Sequence, residues 1–250
     1  MKRRKNPIIA VAQIKYFDVC FKNNVEVIKK YIRMAKEKNA DIICFPESCV
    51  HKTALLHKEH RFINEIKQEC KNNSIWAIIT EDIEINKKSY NTALLIDREG
   101  KIRGDYKKIH LYGDKVNSGR RFKVFNTDFG KIGIAICWDL AFPSLFKKMK
   151  KAGAEIVFCP AQWWYDTISH KENHKVEEFK ILQSLVRVRA FENVYFVALC
   201  NPVMNSKYQV SYSAIASPTE ILAEIIQKEG LITAKINLND IPKLHAHYDS

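Results

Sequence analysis

Glycine and proline are scarce in this chain, at 8 and 7 of 250 residues. That scarcity excludes a collagen or a low-complexity tract and leaves little material for long flexible linkers. Acid is also in deficit: 41 Lys and Arg face 28 Asp and Glu, a formal charge of +13. No Cys-x-x-Cys pair occurs, which excludes a zinc ribbon. No apolar run reaches the roughly 18 residues that a membrane helix needs. Met1 to Lys5 resembles the basic head of a signal peptide, but the apolar stretch after it, Pro7 to Val11, is too short and ends at Gln13. The expectation is a cytoplasmic protein with no membrane partner.

What is present is globular: 46% of residues are hydrophobic and 28% charged. The length suits one domain over residues 1–250. The basic residues are spread along the chain, with clusters at Lys2 to Lys5 and Lys147 to Lys151. No basic repeat interleaved with aromatics occurs, so they read as a solvated surface rather than a nucleic-acid face. Cys20, Cys44, Cys49, Cys70, Cys137, Cys159 and Cys200 are odd in number and irregularly spaced, and several sit in apolar runs. That is the pattern of buried thiols in a reducing compartment, not of a disulfide framework.

Periodicity gives alternating elements. Strands are expected over 7–14, 41–45, 75–80, 90–97, 101–106, 130–136, 155–159 and 194–199. Helices are expected over 59–73, 144–151 and 176–191, and after Asn23-Asn24, where Val25, Ile28, Ile32 and Ala35 recur at helical spacing. Three strands, 210–216, 221–226 and 231–236, close the chain, with the residues after them read as a tail. The order predicts an α/β protein whose helices cover sheet faces.

Three segments put a reactive residue where a strand stops. In Cys44-Phe45-Pro46-Glu47-Ser48, proline halts the strand and leaves Glu47 at its carboxyl end, where open α/β sheets bind ligands. In Tyr106-Lys107-Lys108-Ile109-His110-Leu111, Lys108 follows another strand. Taken singly, these two read as surface residues. In the third, an apolar strand from Gly130 runs into Cys137-Trp138-Asp139, with Pro143 suited to open a helix just beyond. That is a strand–nucleophile–helix elbow, which would lift the Cys137 thiol out of the sheet and turn the Trp138 N–H toward a developing oxyanion. The alternative for Cys137 is a buried core thiol.

In this order the segments resemble the nitrilase superfamily of carbon–nitrogen hydrolases. Its glutamate follows Phe-Pro, its lysine precedes x-His-Leu, and its cysteine follows a Gly-Lys-x-Gly strand; Glu47, Lys108 and Cys137 match position by position. Gly153-Ala154-Glu155-Ile156 with Pro160-Ala161, and Arg189-Ala190-Phe191-Glu192-Asn193, continue the match, which runs from Ala10 to Ile236. The resemblance implies a four-layer αββα sandwich that often pairs through its later helices, hence a homodimer or higher homo-oligomer. It implies a Glu–Lys–Cys triad hydrolysing a small amide through a thioester with release of ammonia, and no cofactor. Lys108 would favour the thiolate, Glu47 would carry protons, and Lys108 with the Trp138 N–H would hold the oxyanion.

The chain departs from the pattern in three places. Many members carry a second glutamate about five residues after the histidine of the lysine motif; Lys115 stands there, and Asp114 is the nearest carboxylate. The expectation is that Asp114 turns into the cleft, the alternative being a site with one carboxylate and Lys115 in solvent. Ser217-Pro218-Thr219-Glu220 replaces Asp-Pro-x-Gly, and Ser48-Cys49-Val50-His51 lacks the usual Gly-Tyr. Nitrile-cleaving members commonly read Cys-Trp-Glu and are longer; Cys-Trp-Asp in a short chain favours amides, with a carbamoyl amide or nitrile as alternatives. A catalytically silent basic binding protein is the reading from another class. Trp163, Trp164 and Tyr165 follow a strand end and either wall a pocket or pack in the core. His170 and His174 are four apart but lack the zincin glutamate, and no metal site is expected.

Overall fold

The computed structural model describes residues 6–16, 23–51, 55–165, 174–204 and 208–248, and the side chains of all of these except 174 and 175. Two six-stranded sheets stack face to face. The first has the order β12-β1-β2-β3-β4-β5, with β1 Ile8–Gln13, β2 Ile42–Cys44, β3 Trp76–Ile85, β4 Lys88–Ile96, β5 Ile102–Lys107 and β12 Gly230–Lys235. The second has the order β11-β10-β9-β8-β7-β6, with β6 Val124–Asn126, β7 Lys131–Ile134, β8 Ile156–Pro160, β9 Phe196–Cys200, β10 Tyr212–Ala216 and β11 Ile221–Ile226. Helices α1 Val25–Glu37 and α2 Arg61–Asn73 cover the first sheet, and α3 Pro143–Lys151 and α4 His174–Asn193 cover the second. This is the four-layer αββα sandwich.

Alternation explains the layers. Along β1, Ile9 and Val11 face the inter-sheet core while Ala10 and Ala12 face the α1/α2 layer. All four are buried, so β1 reads as one unbroken apolar run. The stripe Val25, Ile28, Ile32 and Ala35 seats α1; each large aliphatic side chain so buried contributes roughly 1.5–3 kcal/mol. His60 caps α2 by accepting from the Phe62 N–H, and Pro143 opens α3 where its missing donor costs nothing.

The structure adds to the sequence reading at four points. Strand β3 runs on to Ile85 and returns as β4 through a two-residue turn in which Asn86 and Lys87 both have positive φ. Strand β6 and helix α5 (Asp240–Tyr248) were not expected. The last two strands do not pair: β11 joins β10, whereas β12 crosses to the other sheet and lies antiparallel to β1. No helix of the described residues is long and apolar enough to cross a membrane.

Candidate active site

The strand ends bring the three segments together. Phe45 and Pro46 carry the chain off β2, and Ser48 then takes a positive φ, which turns Glu47 inward, 4% exposed. Its Oε1 accepts from Lys108 Nζ at 2.9 Å and from Asn91 Nδ2 at 2.8 Å; its Oε2 accepts from the Gln162 N–H at 3.0 Å. Lys108 lies just past β5. Its N–H donates to the Asn91 carbonyl at 2.9 Å and its own carbonyl accepts from the Gly119 N–H at 2.7 Å. Its buried ammonium also donates to Asp114 Oδ2 at 3.0 Å. Asp114 therefore faces the cleft, held by the Tyr112 N–H at 2.8 Å, while Lys115 is exposed.

Cys137 follows β7 at φ 47, the left-handed region that non-glycine residues avoid. A short 3-10 helix, Cys137–Ala141, starts there, so the expected turn before α3 is itself helical. The elbow is tied down by Asp139, which is fully buried. Asp139 Oδ1 accepts from the His110 N–H at 2.9 Å and lies 2.7 Å from His110 Nδ1; Oδ2 accepts from Tyr106 OH at 2.7 Å and from the Ile136 N–H at 3.0 Å. One carboxylate thus joins the end of β5, the lysine loop and the cysteine elbow. The His110 ring stacks on Phe142 at 3.6 Å, and Arg189 on α4 donates to the Leu140 carbonyl at 3.0 Å. Arg189 also pairs with Glu192, three residues on along the same helix.

Glu47, Lys108, Asp114 and Cys137 line one cavity of about 370 Å³, with Trp138, Trp163 and Trp164 as aromatic walls. Tyr165 is not among its lining residues and packs against the core. The Trp138 ring lies 4.7 Å from Tyr112 and 5.7 Å from Trp163. Trp163 is fixed by its indole N–H, which donates to Glu178 Oε1 at 2.6 Å. Asp82 also lines the cavity.

Electrostatics decide the resting protonation. Burial pushes the Cys137 thiol well up; the neighbouring Glu47 carboxylate, within hydrogen-bond reach, pushes the same way, and Lys108 opposes them without prevailing. Proximity to Lys108 therefore does not make a resting thiolate, because desolvation of the anion is the larger effect. Burial alone would lower Lys108, but the Glu47 and Asp114 carboxylates in contact with it outweigh that and hold the ammonium charged above the ordinary lysine range. Asp82 is raised by burial, then by Glu47 and Asp114.

Sequence reasoning missed Asn91, Asp139 and Gln162, and gave His110 no structural role. Asn91 sits mid-strand without a motif of its own, and Gln162 acts through its backbone. Among the described residues no group of three or more His, Cys, Asp or Glu side chains could hold a metal ion. His170 and the His174 side chain lie outside the described residues.

The carbon-nitrogen hydrolase family model matches residues 8–246. The chain belongs to that family. This carbon-nitrogen hydrolase is 28% identical over 243 residues to the 2-oxoglutaramate amidase of Bacillus subtilis, covering 90% of this chain and 89% of the relative. It is 28% identical over 267 residues to the N-carbamoylputrescine amidase of Arabidopsis thaliana, covering 96% of this chain and 89% of the relative. Among solved structures, Nit3 of Saccharomyces cerevisiae superposes with a TM-score of 0.83 at 21% identity, covering 99% of this chain and 96% of that one. A mutant of the amidase of Nesterenkonia sp. AN1 superposes with a TM-score of 0.79 at 18% identity, covering 98% of each chain; in that structure the acetamide moiety of fluoroacetamide is added covalently at the active-site cysteine.

Proposed function

We propose that this carbon-nitrogen hydrolase cleaves a small amide, releasing ammonia, with Cys137 as nucleophile, Glu47 as general base and acid, and Lys108 as oxyanion donor. One observation carries the reading: the buried Lys108 ammonium sits 2.9 Å from Glu47 in the cavity into which the strained Cys137 elbow opens. A thiol held protonated by burial requires a base in contact, so attack on the carbonyl transfers the sulfur proton to Glu47 as the C–S bond forms. The oxyanion is held by Lys108 and the Trp138 N–H, each such donor being worth about 3 kcal/mol. Glu47 returns the proton to the leaving nitrogen, the C–N bond breaks, and ammonia departs. Water then donates a proton to Glu47 as it attacks the thioester; collapse frees the acid, and the proton passes back to the sulfur. These steps call for no metal or organic cofactor.

Asp114 takes the place of the second glutamate, steadying Lys108 as a second carboxylate beside Glu47. Trp138 and Trp163 wall the acyl site. A carbamoyl amine with a cationic tail is the second reading, favoured by Asp82, a further carboxylate on the cavity wall; the Arabidopsis relative is named for such a substrate. The assembly we propose is a homodimer or higher homo-oligomer through α4, whose Ile181, Val188 and Phe191 are exposed. An ammonia-release screen over small amides and carbamoyl amines tests the function. Turnover lost in Cys137→Ala is expected; turnover that survives this change, or release from none of the compounds, rejects it.

A further inference from the structure

A second cavity, of about 670 Å³, lies against β4 and β5 and does not share a lining residue with the catalytic one. Five cations line it: Lys88, Lys107, Arg120, Arg121 and Lys123. Its single carboxylate, Asp105, is already engaged by Lys58 at 2.9 Å. No carboxylate among the described residues pairs with any of the five; Lys107 rests instead over the Tyr90 ring at 4.1 Å. Ion pairs do form elsewhere on the surface, as at Lys29–Glu26, Lys67–Glu59 and Lys101–Glu99. Here five like charges are gathered around a concavity, and no described carboxylate is paired with them.

We propose that this cavity is an anion site that takes a small molecule carrying adjacent phosphate groups, and that its occupancy stiffens the mounting of Lys108. Two guanidinium forks and three ammoniums suit phosphate oxygens, which accept bidentate contacts from arginine. The volume falls in the range of small-ligand pockets, roughly 300–1,000 Å³. The charges converge on one hollow rather than run as a stripe, which disfavours a nucleic-acid backbone.

The coupling follows from the chain path. Lys107 and Lys108 are consecutive on an extended strand end, so their side chains point to opposite sides, one into each cavity. The segment 117–121, which carries Arg120 and Arg121, lies directly on that strand. The Gly119 N–H donates to the Lys108 carbonyl at 2.7 Å, the Asn117 N–H donates to the Ser89 carbonyl at 2.8 Å, and Ser118 Oγ donates to the Ile109 carbonyl at 2.6 Å. The approach is so close that a Cβ on Gly119 would meet the Lys107 carbonyl oxygen at 2.2 Å. An anion bridging Arg120 and Arg121 to Lys107 and Lys88 would clamp this segment and hold the backbone from which Lys108 reaches Glu47.

The test is calorimetric titration of the full chain with inorganic pyrophosphate at constant ionic strength, with ADP in a second arm. Saturable one-to-one binding is expected, weakened about tenfold or more in Arg121→Ala/Lys123→Ala, since each lost charge-assisted contact is worth about a decade in affinity. Both residues lie outside the cleft, and the melting temperature without ligand verifies folding. Tighter binding of ADP assigns a nucleotide and equal binding a bare phosphate chain; both support the site. Pyrophosphate should also slow amide hydrogen exchange over 107–121 in the wild type. No saturable binding, an affinity unchanged by the double substitution, unchanged exchange over 107–121, or tighter binding of a duplex oligonucleotide than of pyrophosphate would overturn the proposal. None of these readouts depends on turnover, so they stand or fall apart from the amidase reading.

Discussion

Asp139→Asn probes the tie between the lysine loop and the cysteine elbow. In the wild type each carboxylate oxygen faces two donors: the His110 N–H and Nδ1 on one side, Tyr106 OH and the Ile136 N–H on the other. An asparagine must turn its NH2 toward one pair, where the backbone N–H loses its acceptor while the His110 ring or the Tyr106 hydroxyl can switch to accepting. One charge-assisted bond of about 1.5–3 kcal/mol is lost and the other three fall to neutral strength, so the loss is roughly 3–6 kcal/mol. That is a large part of the roughly 5–15 kcal/mol that stabilises a domain. At about 2–4 °C per kcal/mol for this size, the melting temperature should fall by on the order of 10 °C. Tyr106→Phe removes one donor and should cost about half as much; the double variant should lose less than the sum, because the two changes share one contact. Differential scanning calorimetry with denaturant titration reads the cycle. At a temperature where the variant is folded, kcat should fall more than KM changes, since Cys137 holds its positive φ only while the elbow is pinned. A loss under about 1 kcal/mol for Asp139→Asn, or strict additivity with Tyr106→Phe, would refute this account.

Further outcomes are expected. Asp114→Asn keeps the shape but removes one of the two carboxylates on Lys108; kcat/KM should drop by about 1.5–3 kcal/mol in transition-state stabilisation, and unchanged kinetics would show that the site works with Glu47 alone. Brief alkylation with peptide mapping should label Cys137 ahead of Cys44, Cys49, Cys70, Cys159 and Cys200, because it is 8% exposed while these are 0%; first labelling of one of these would count against its role. Glu81 is pushed up to about 8 by burial, which outweighs three backbone N–H contacts from His51, Asp82 and Val50. The folded state then binds the proton more tightly than the unfolded one, so stability should fall as pH rises from the ordinary glutamate range to about 8, with a slope of at most about 1.4 kcal/mol per pH unit. Glu81→Gln should flatten that slope; an identical pH profile would reject the assignment.

The fold class was legible because local pattern and global layer agree. The 3.6 period of Val25, Ile28, Ile32 and Ala35 and the apolar run of β1 each have one comfortable place, a helix on a sheet and a strand between layers. Glu47, Lys108 and Cys137 were legible from what surrounds them: a proline that ends a strand, a strand end before His-Leu, and an elbow. Their convergence is contingent on tertiary pairing. β2 and β5 stand in one sheet and β7 in the other, and only face-to-face stacking puts their ends around one cavity. The same holds for β12, six residues long like β11 but partnered with β1, at the opposite end of the sequence; strand pairing depends on which edge is open, and no local pattern encodes that.

The sequence by itself determined the candidate reactive residues, most of the strands and helices, and the family those motifs resemble. The tertiary structure decided the rest. It aimed Asp114 at Lys108 where only its chemistry and not its direction could be read. It gave Asp139 its task as the knot between β5, the lysine loop and the elbow. It set the protonation of Cys137 against a reading by proximity alone. It gathered five cations, scattered from Lys88 to Lys123, around one hollow on the far side of the strand end that carries Lys108. The reason is common to all four: side-chain type is local, but direction, desolvation and charge balance depend on neighbours that the folded chain brings from far away.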